Sequence, residues 1–500
     1  MNQILKNTIV LFFIFYSASV AQDNHYWNLF TGNESAVMGG IVLDGVDDYS
    51  TSYFNPGNIA FLKSSGLGVT GNVYAYLNYN HENAAGTGND FTKKKFSILP
   101  NMGAGAAPFN KEDNSRIGYL FFERRSAALT MNSRVEQIYD VIPTRLFEIN
   151  GQTIKYYEGD ERYIGEINTD HQMTEYWAGI SYGKKISEKF GIGFTLFGSM
   201  RDQIKKYNMN IFAVDVNSSL SATTDWNYMI DYLDFRILGK FGLVYKSESY
   251  NLGLTLTTPS VHLYGTGVIG GRVTSTGVYV GNIPNTNISR PYDYVASKRE
   301  SDVATNYISP FSIGIGLRKD IGSWRIRVAA EWFNKIADHT LIQAKDPYFT
   351  ISDPTSDSSQ VIAEIPLLKV QQKGKSIINY GIAIQKTFSD EFVAYLSFRT
   401  DFSNYEQSNK NNFTIGETDD WNIFRFTTGG TYRFSRTIIG LGFQYSISRD
   451  SEKISQANLN PKQITENDLF LLNTTPVQSS IIFDEYKLIL AFTYLFDSEL

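Results

Sequence analysis

Gly265-Thr266-Gly267-Val268-Ile269-Gly270 carries the G-x-G-x-x-G spacing that cradles a pyrophosphate when the loop opens a helix. Here it ends an apolar-alternating stretch in a Gly/Thr/Val run, so no dinucleotide cofactor is expected. The histidines, His25, His81, His171, His262 and His339, form no i, i+4 pair and have no carboxylate-rich neighbourhood, which argues against a metal centre. Asp44, Asp47 and Asp48 lack the spacing of a calcium loop and read as turn residues that pair with interior arginines. The chain contains no cysteine, which removes disulfides, thiolate metal sites and cysteine nucleophiles together. No Ser/His/Asn set falls on neighbouring strands, so no enzyme activity, cofactor or metal is expected.

One charged run remains. Glu123-Arg124-Arg125 interrupts the apolar stretch GYLFFERRSAAL. Successive strand residues face opposite sides, so three adjacent charges cannot all face the interior of a regular strand. A lipid-facing arginine at mid-membrane costs about 2–4 kcal/mol. Either the run lies at a membrane edge, or the strand is bulged or kinked there.

The elements that position these residues follow from composition and period. Residues 1–21 read as a secretory signal peptide: Lys6, an apolar core from Ile9 to Tyr16, and a small-x-small site at Ser19-Val20-Ala21, with Gln22 as the mature start. That core is too short for a helical span, which needs about 20 residues. Forty-five basic against 51 acidic residues give no argument for nucleic acid. Aromatic content of 14 % and 40 glycines in a cysteine-free exported chain suit an outer-membrane barrel.

Period-two alternation is widespread: Phe190, Ile192, Phe194 and Leu196 against Gly191, Gly193 and Thr195, and Tyr486, Leu488, Leu490, Phe492 and Tyr494 on one face. Candidate strands fall at about 64–80, 95–106, 116–135, 172–186, 189–212, 228–246, 250–274, 304–319, 323–343, 374–388, 391–407, 419–435, 437–454 and 479–496. Breaks after even-numbered strands are tight and those after odd-numbered strands are long, notably 136–171, 275–303, 344–373 and 455–478. That sorting predicts an all-β, transmembrane antiparallel β-barrel of about fourteen strands over 64–500. Phe496 should end the last strand, which closes on the first, with a loose tail after it. Tyr176, Trp177, Trp332, Phe333, Trp421 and Tyr432 read as interfacial girdle residues.

Residues 22–63 have no clear period and read as an N-terminal plug in the lumen. Asn55-Pro56-Gly57 combines tolerance of αL, a fixed φ and a missing Cβ, which predicts a sharp turn before Phe61 and Leu62. The turn is expected to pack inside the early strands, near Glu123–Arg125.

Met38-Gly39-Gly40, Asp47-Asp48, Tyr53-Phe54-Asn55-Pro56-Gly57 and Ala60-Phe61-Leu62 together resemble the N-terminal pattern of the FadL/TodX family, which runs roughly MGGA…DDAS…YNPAGLA. The sequence departs from it at Tyr49 and at Gly57-Asn58, where the family usually has Ala-Gly. These are outer-membrane transporters of long-chain fatty acids and other hydrophobic compounds, with fourteen strands behind an N-terminal hatch. The resemblance implies passive uptake of a fatty acid or other hydrophobic small molecule in a Gram-negative outer membrane. It places plug or gate residues at Met38, Gly39, Gly40, Asn55, Pro56, Gly57, Phe61 and Leu62, and a lateral gap in the third strand at Glu123, Arg124 and Arg125. Implied partners are outer-membrane lipid and the barrel assembly machinery. Two alternatives stay open: a docking or assembly role in protein secretion with other outer-membrane proteins, and a polar porin.

Overall fold

The structure is a computed structural model that describes residues 25–496, apart from 28–30, 111–113, 150–151, 158, 218–219, 283–288, 347, 352–359, 365–367, 407–420, 466–467 and 469. The signal peptide and the tail after Phe496 lie outside the described residues. In chain order the strands are β1 (Gly66–Glu82), β2 (Phe91–Asn110), β3 (Ser115–Tyr139), β4 (Arg145–Ile149), β5 (Gln152–Tyr156), β6 (Glu161–Lys185), β7 (Phe190–Asp215) and β8 (Ser221–Lys246). Next come β9 (Tyr250–Thr257), β10 (Val261–Asn282), β11 (Ser289–Ala304), β12 (Ser312–Ile321), β13 (Trp324–Phe333), β14 (Ile336–Gln343), β15 (Tyr348–Ile351) and β16 (Gln360–Glu364). The last are β17 (Lys369–Gly374), β18 (Ile377–Thr387), β19 (Phe392–Asp401), β20 (Ile423–Phe434), β21 (Thr437–Ser455) and β22 (Val477–Leu495).

Sixteen of these form one antiparallel sheet, while β4/β5, β14/β17 and β15/β16 make separate two-stranded pairs in the loops. β9 and β10 lie end to end along β8, and β12 and β11 lie end to end beyond them. The sixteen segments therefore make fourteen staves. β22 pairs with β1 from Gly66↔Leu495 to Glu82↔Ser480, which closes the barrel and leaves no sheet edge at the seam.

Tight turns such as 186–189, 247–249, 322–323 and 435–436 gather at one end, here the turn end. Long connections such as 334–376 and 456–476 gather at the other, the loop end. The connection 216–220 is short because β7 and β8 run further than their sequence pattern suggests. β3 and β6 likewise extend well into the stretch 136–171 that reads as loop. The exterior is an apolar belt, with Ile180, Leu196, Phe241, Leu254, Ile315 and Leu441 all exposed. Such a surface suits hydrocarbon, where a closed barrel satisfies its own backbone groups.

Two sequence expectations need correction. The stretches 250–274, 304–319 and 323–343 are not continuous strands: the first breaks at 258–260 around Pro259, and the second has no strand between Ala304 and Ser312, around Pro310. Proline offers no N–H to the ladder, so it sits where a stave bends. The third leaves the wall after Phe333, β14 pairing with β17 instead, while 275–303, which reads as a long break, is largely strand in β10 and β11. Trp177, Phe333 and Trp421 are also not girdle residues, because all three are buried. Adjacent residues on a strand split between faces, so Tyr176-Trp177 and Trp332-Phe333 each send only one ring outward.

Candidate functional site

Residues 31–62 pack against the inner faces of staves all around the turn end of the barrel. Glu34–Val37 is a single helical turn whose N-terminus is capped by Asp48: the Glu34 and Ser35 N–H groups donate to Asp48 Oδ2 at 2.9 and 3.1 Å. Gly39 and Gly40 then reverse the chain at φ of 61° and 79°, a region open to glycine at little cost. Met38 is fully buried beside Ile41, Val42 and Tyr395. Asp44 meets Arg327 of β13 at 2.6 Å with both side chains buried, so one acidic turn residue does pair with an interior arginine. Asp47 is exposed and stands 3.6 Å from Lys246.

Asn55-Pro56-Gly57 opens a 3₁₀ helix over Pro56–Phe61. Asn55 is extended at φ −150°, its Oδ1 accepts from Gly57 N–H at 3.1 Å, and Pro56 takes the first helical position, where its missing N–H is tolerated. The turn is thus made without any αL residue in the tripeptide. Gly57 is needed for close approach instead: a Cβ there would stand 2.7 Å from the carbonyl oxygen of Gly242 on β8. Glycines line the wall opposite, and a Cβ at Gly191 would meet Gly57 O at 2.6 Å, while one at Gly316 would meet the Leu43 carbonyl carbon at 2.7 Å. The Asn55 amide donates to Leu43 O at 2.7 Å and to Leu243 O of β8 at 3.1 Å. The turn thus sits on β6, β7 and β8 at the level of Gly183, Gly193 and Gly242, several rows toward the turn end from Glu123–Arg125, because that is where the wall is bare enough to receive backbone. Phe61 lies under the ammonium groups of Lys185 and Lys246 at 5.5 and 4.6 Å, and Leu62 is buried with Tyr49 and Met102.

Glu123, Arg124 and Arg125 occupy a β-bulge. The β3–β6 ladder shifts between Glu123 and Arg125, so Arg124 is the extra residue and both arginines are buried while Glu123 is not. At the same level the wall parts. β2 pairs with β3 only from Asn110↔Ser115 to Met102↔Phe122. Beyond that row, among the described residues, β2 pairs with β1 alone and β3 with β6 alone. An aromatic group lines the inside just below the gap: Tyr53 of the N-terminal segment lies 5.1 Å from Phe122, and Trp177 lies 5.1 Å from Phe197.

Behind the gap lies a central chamber bounded by Arg124, Arg125, Lys240, Glu331 and Phe333. Its free volume is about 30 Å³, room for one or two waters, because Tyr26 and Trp27 fill it. Tyr26 stacks on Phe333 at 4.9 Å, lies under the Arg125 guanidinium at 4.3 Å, and accepts from Arg124 Nη2 at 2.5 Å through its carbonyl. Trp27 Nε1 donates to Glu331 Oε2 at 2.7 Å. Glu175, also buried, holds Arg201 and Arg236 at 3.1 Å each. Sequence reasoning missed Tyr26 and Trp27, which lie between leader and motif with no periodic signal. G-x-G-x-x-G lies within β10 and opens no helix. His171 is buried against Gln203 at 2.8 Å.

A fourteen-stave barrel with an N-terminal segment packed within it is the class that fold and site define. Among solved structures the chain is similar to the P. putida toluene transporter TodX, at 12 % identity and a TM-score of 0.52 over 95 % of this chain and 100 % of that one. It is also similar to the CymD monoaromatic hydrocarbon channel, at 10 % identity and a TM-score of 0.50 over 95 % and 99 %. A Pseudomonas aeruginosa FadL homologue aligns over 96 % and 100 % at 10 % identity, with a TM-score of 0.49. No family model and no curated protein matches the sequence. The chain has the fold of the TodX-type channels.

Proposed function

We propose that the protein is an outer-membrane channel for passive uptake of long-chain fatty acids or similar hydrophobic compounds, with residues 22–63 as plug and the β2/β3 gap as a lateral exit. The observation that carries the reading is the coincidence at one level of the wall gap, the Glu123–Arg125 bulge and the chamber filled by Tyr26 and Trp27. Each supports the same route. A fatty acid gains about 0.8 kcal/mol for every CH₂ kept out of water, so release sideways into lipid avoids a wet pore. The fold shared with a toluene transporter and a monoaromatic hydrocarbon channel supports an apolar cargo. The apolar cluster at the loop end, which includes Ile230, Ile342, Val370 and Leu471, weighs against a polar porin.

The bulge exists because Arg124 is one residue too many for the β3–β6 register, so deleting Arg124 should straighten β3 and let it pair with β2. Cells carrying that variant should make a folded barrel by heat-modifiable gel mobility and yet lose uptake of a radiolabelled long-chain fatty acid. Uptake at the wild-type rate by the folded variant would sink the lateral route.

A further inference from the structure

The eighth stave leaves the wall between its halves β11 and β12. Tyr307 N–H donates to Asp234 Oδ2 at 3.2 Å, and its ring lies over the guanidiniums of Arg201 and Arg236 at 4.1 and 4.5 Å. Asp234, Arg236 and Arg201 are buried side chains of β8 and β7, so this stretch of the eighth stave runs inside the barrel. Its backbone is satisfied there: Asn306 N–H reaches Leu341 O at 2.9 Å and Ile308 N–H reaches Gln372 Oε1 at 2.8 Å, both on the β14/β17 pair.

The seventh stave stays at the surface. Its ladder with the eighth stops at Thr257↔Ser312 and resumes at Thr266↔Ala304, with Thr305 N–H reaching Gly265 O just below. Across the break Ser260 N–H donates to Ser309 O at 3.2 Å, and Ser309 N–H to Ser260 Oγ at 2.8 Å. Among the described residues, His262, Leu263 and Tyr264 have no partner on the eighth stave. Leu263 and Tyr264 are 59 % and 58 % exposed. An unpaired strand edge in hydrocarbon costs several kcal/mol per group, so this edge calls for a hydrogen-bonding neighbour. The level supplies one. The outer face of β8 changes from Phe235 and Leu233 to Asp231, and that of β7 from Met200 to Asp202, which puts the break at the border of the apolar belt, where amphiphile head groups lie. His262 Nδ1 stands 3.1 Å from buried Asp234, a polar line through the wall.

The break and the β2/β3 gap share one cross-strand row, Phe122↔Trp177↔Ser199↔Arg236↔His262. They also share one chamber, bounded by Arg124 and Arg125 on one side and by Thr257, Ser309 and Pro310 on the other. We propose that the break is a second side portal, which admits an amphiphile from the outer leaflet, its hydrogen-bonding head at Ser260, His262 and Ser309 and its apolar chain displacing Tyr26 to enter the chamber. This rests on the uptake reading above and adds to it where the cargo enters.

The cysteine-free chain makes the test clean. Ser260→Cys with Ser309→Cys should form a disulfide that pins the two staves. Oxidised cells should lose protein-dependent uptake of a radiolabelled long-chain fatty acid, and a membrane-impermeant reductant should restore it. A control staple at the register pair Leu254→Cys with Ile315→Cys should leave uptake unchanged. In purified wild-type barrel, a diazirine-bearing fatty acid in phospholipid vesicles should label residues 258–264. Wild-type uptake through the closed staple, or labelling confined to other peptides, overturns the portal and leaves the channel reading intact. Wild-type cells that take up no more than cells lacking the protein overturn both.

Discussion

At the loop end of the lumen, Ile230, Ile269, Val273, Ile342, Val370 and Leu471 belong to one apolar cluster that wall and loops build together. At the turn end, the wall facing the N-terminal segment is bare at Gly191, Gly242, Gly253 and Gly316, and the segment's backbone lies directly on it. The first arrangement is held by many interchangeable side chains, each worth a share of about 25 cal/mol per Å² of buried apolar surface. The second adds to apolar packing of Met38, Ile41, Val42 and Leu62 on the wall a close backbone fit and buried polar contacts, among them Asp44–Arg327 and the Asn55 amide. None of these contacts is a rung of the barrel ladder, so losing them leaves the pairing of the wall intact. Single substitutions should therefore separate docking of the segment from stability of the loop end.

The largest effect is expected at Arg327→Ala. It leaves Asp44 buried and unpaired, a loss of about 3–5 kcal/mol, and nearly all of it should fall on docking of the N-terminal segment. Limited proteolysis should cut that segment readily while the barrel keeps its heat-modifiable mobility. Protection equal to wild type would show that the segment is held by something else. Ile342→Ala, in the loop-end cluster, should cost about 2–5 kcal/mol of stability and leave N-terminal proteolysis alone. Should thermal unfolding stay put and cleavage rise, the two ends would not be independent. Gly57→Ala is a smaller, local change: its Cβ overlaps the Gly242 carbonyl, and overpacking of this kind costs about 1–3 kcal/mol. It should raise ion leakage in planar bilayers with no change in the amount of folded barrel. Leakage at the wild-type level would make the 3₁₀ turn a mere corner.

The same contrast explains what was legible in the sequence. Wall staves announce themselves through period two and through turns sorted by parity, because both follow from local geometry. At Glu123–Arg125 the three adjacent charges conflict with that period, which left a membrane edge and a bulge both open, and the ladder shift shows the bulge. The alternating glycines were visible at Gly191 and Gly193 and at Gly314 and Gly316, but their purpose was not, because it depends on backbone more than a hundred residues away. For the same reason the sequence does not show that Asn55-Pro56-Gly57 docks several rows toward the turn end from Glu123–Arg125. Pro259 and Pro310 did mark the breaks in the seventh and eighth staves, and strong flanking alternation hid them.

The gentlest way to sharpen the comparison is pH. Burial, with Asp47 and Asp48 nearby and Arg327 and Arg325 opposing, pushes the half-buried Glu34 carboxyl up from 4.5 to about 7. Between those values the docked segment holds a proton that the released segment has already lost. Raising the pH through this window therefore favours release: docking is firmest below pH 4.5, weakens up to about 7 and is level above it. The effect should be the smallest of the four because a half-buried site still screens charge. Proteolysis of the N-terminal segment should accelerate from pH 5 to pH 8 in wild type, once corrected for protease activity on a denatured control. Glu34→Gln is neutral throughout and should abolish that slope. If the slope survives in Glu34→Gln, the sensing group is another of the turn-end carboxylates, and Asp48, which caps the same helical turn, is the next to replace.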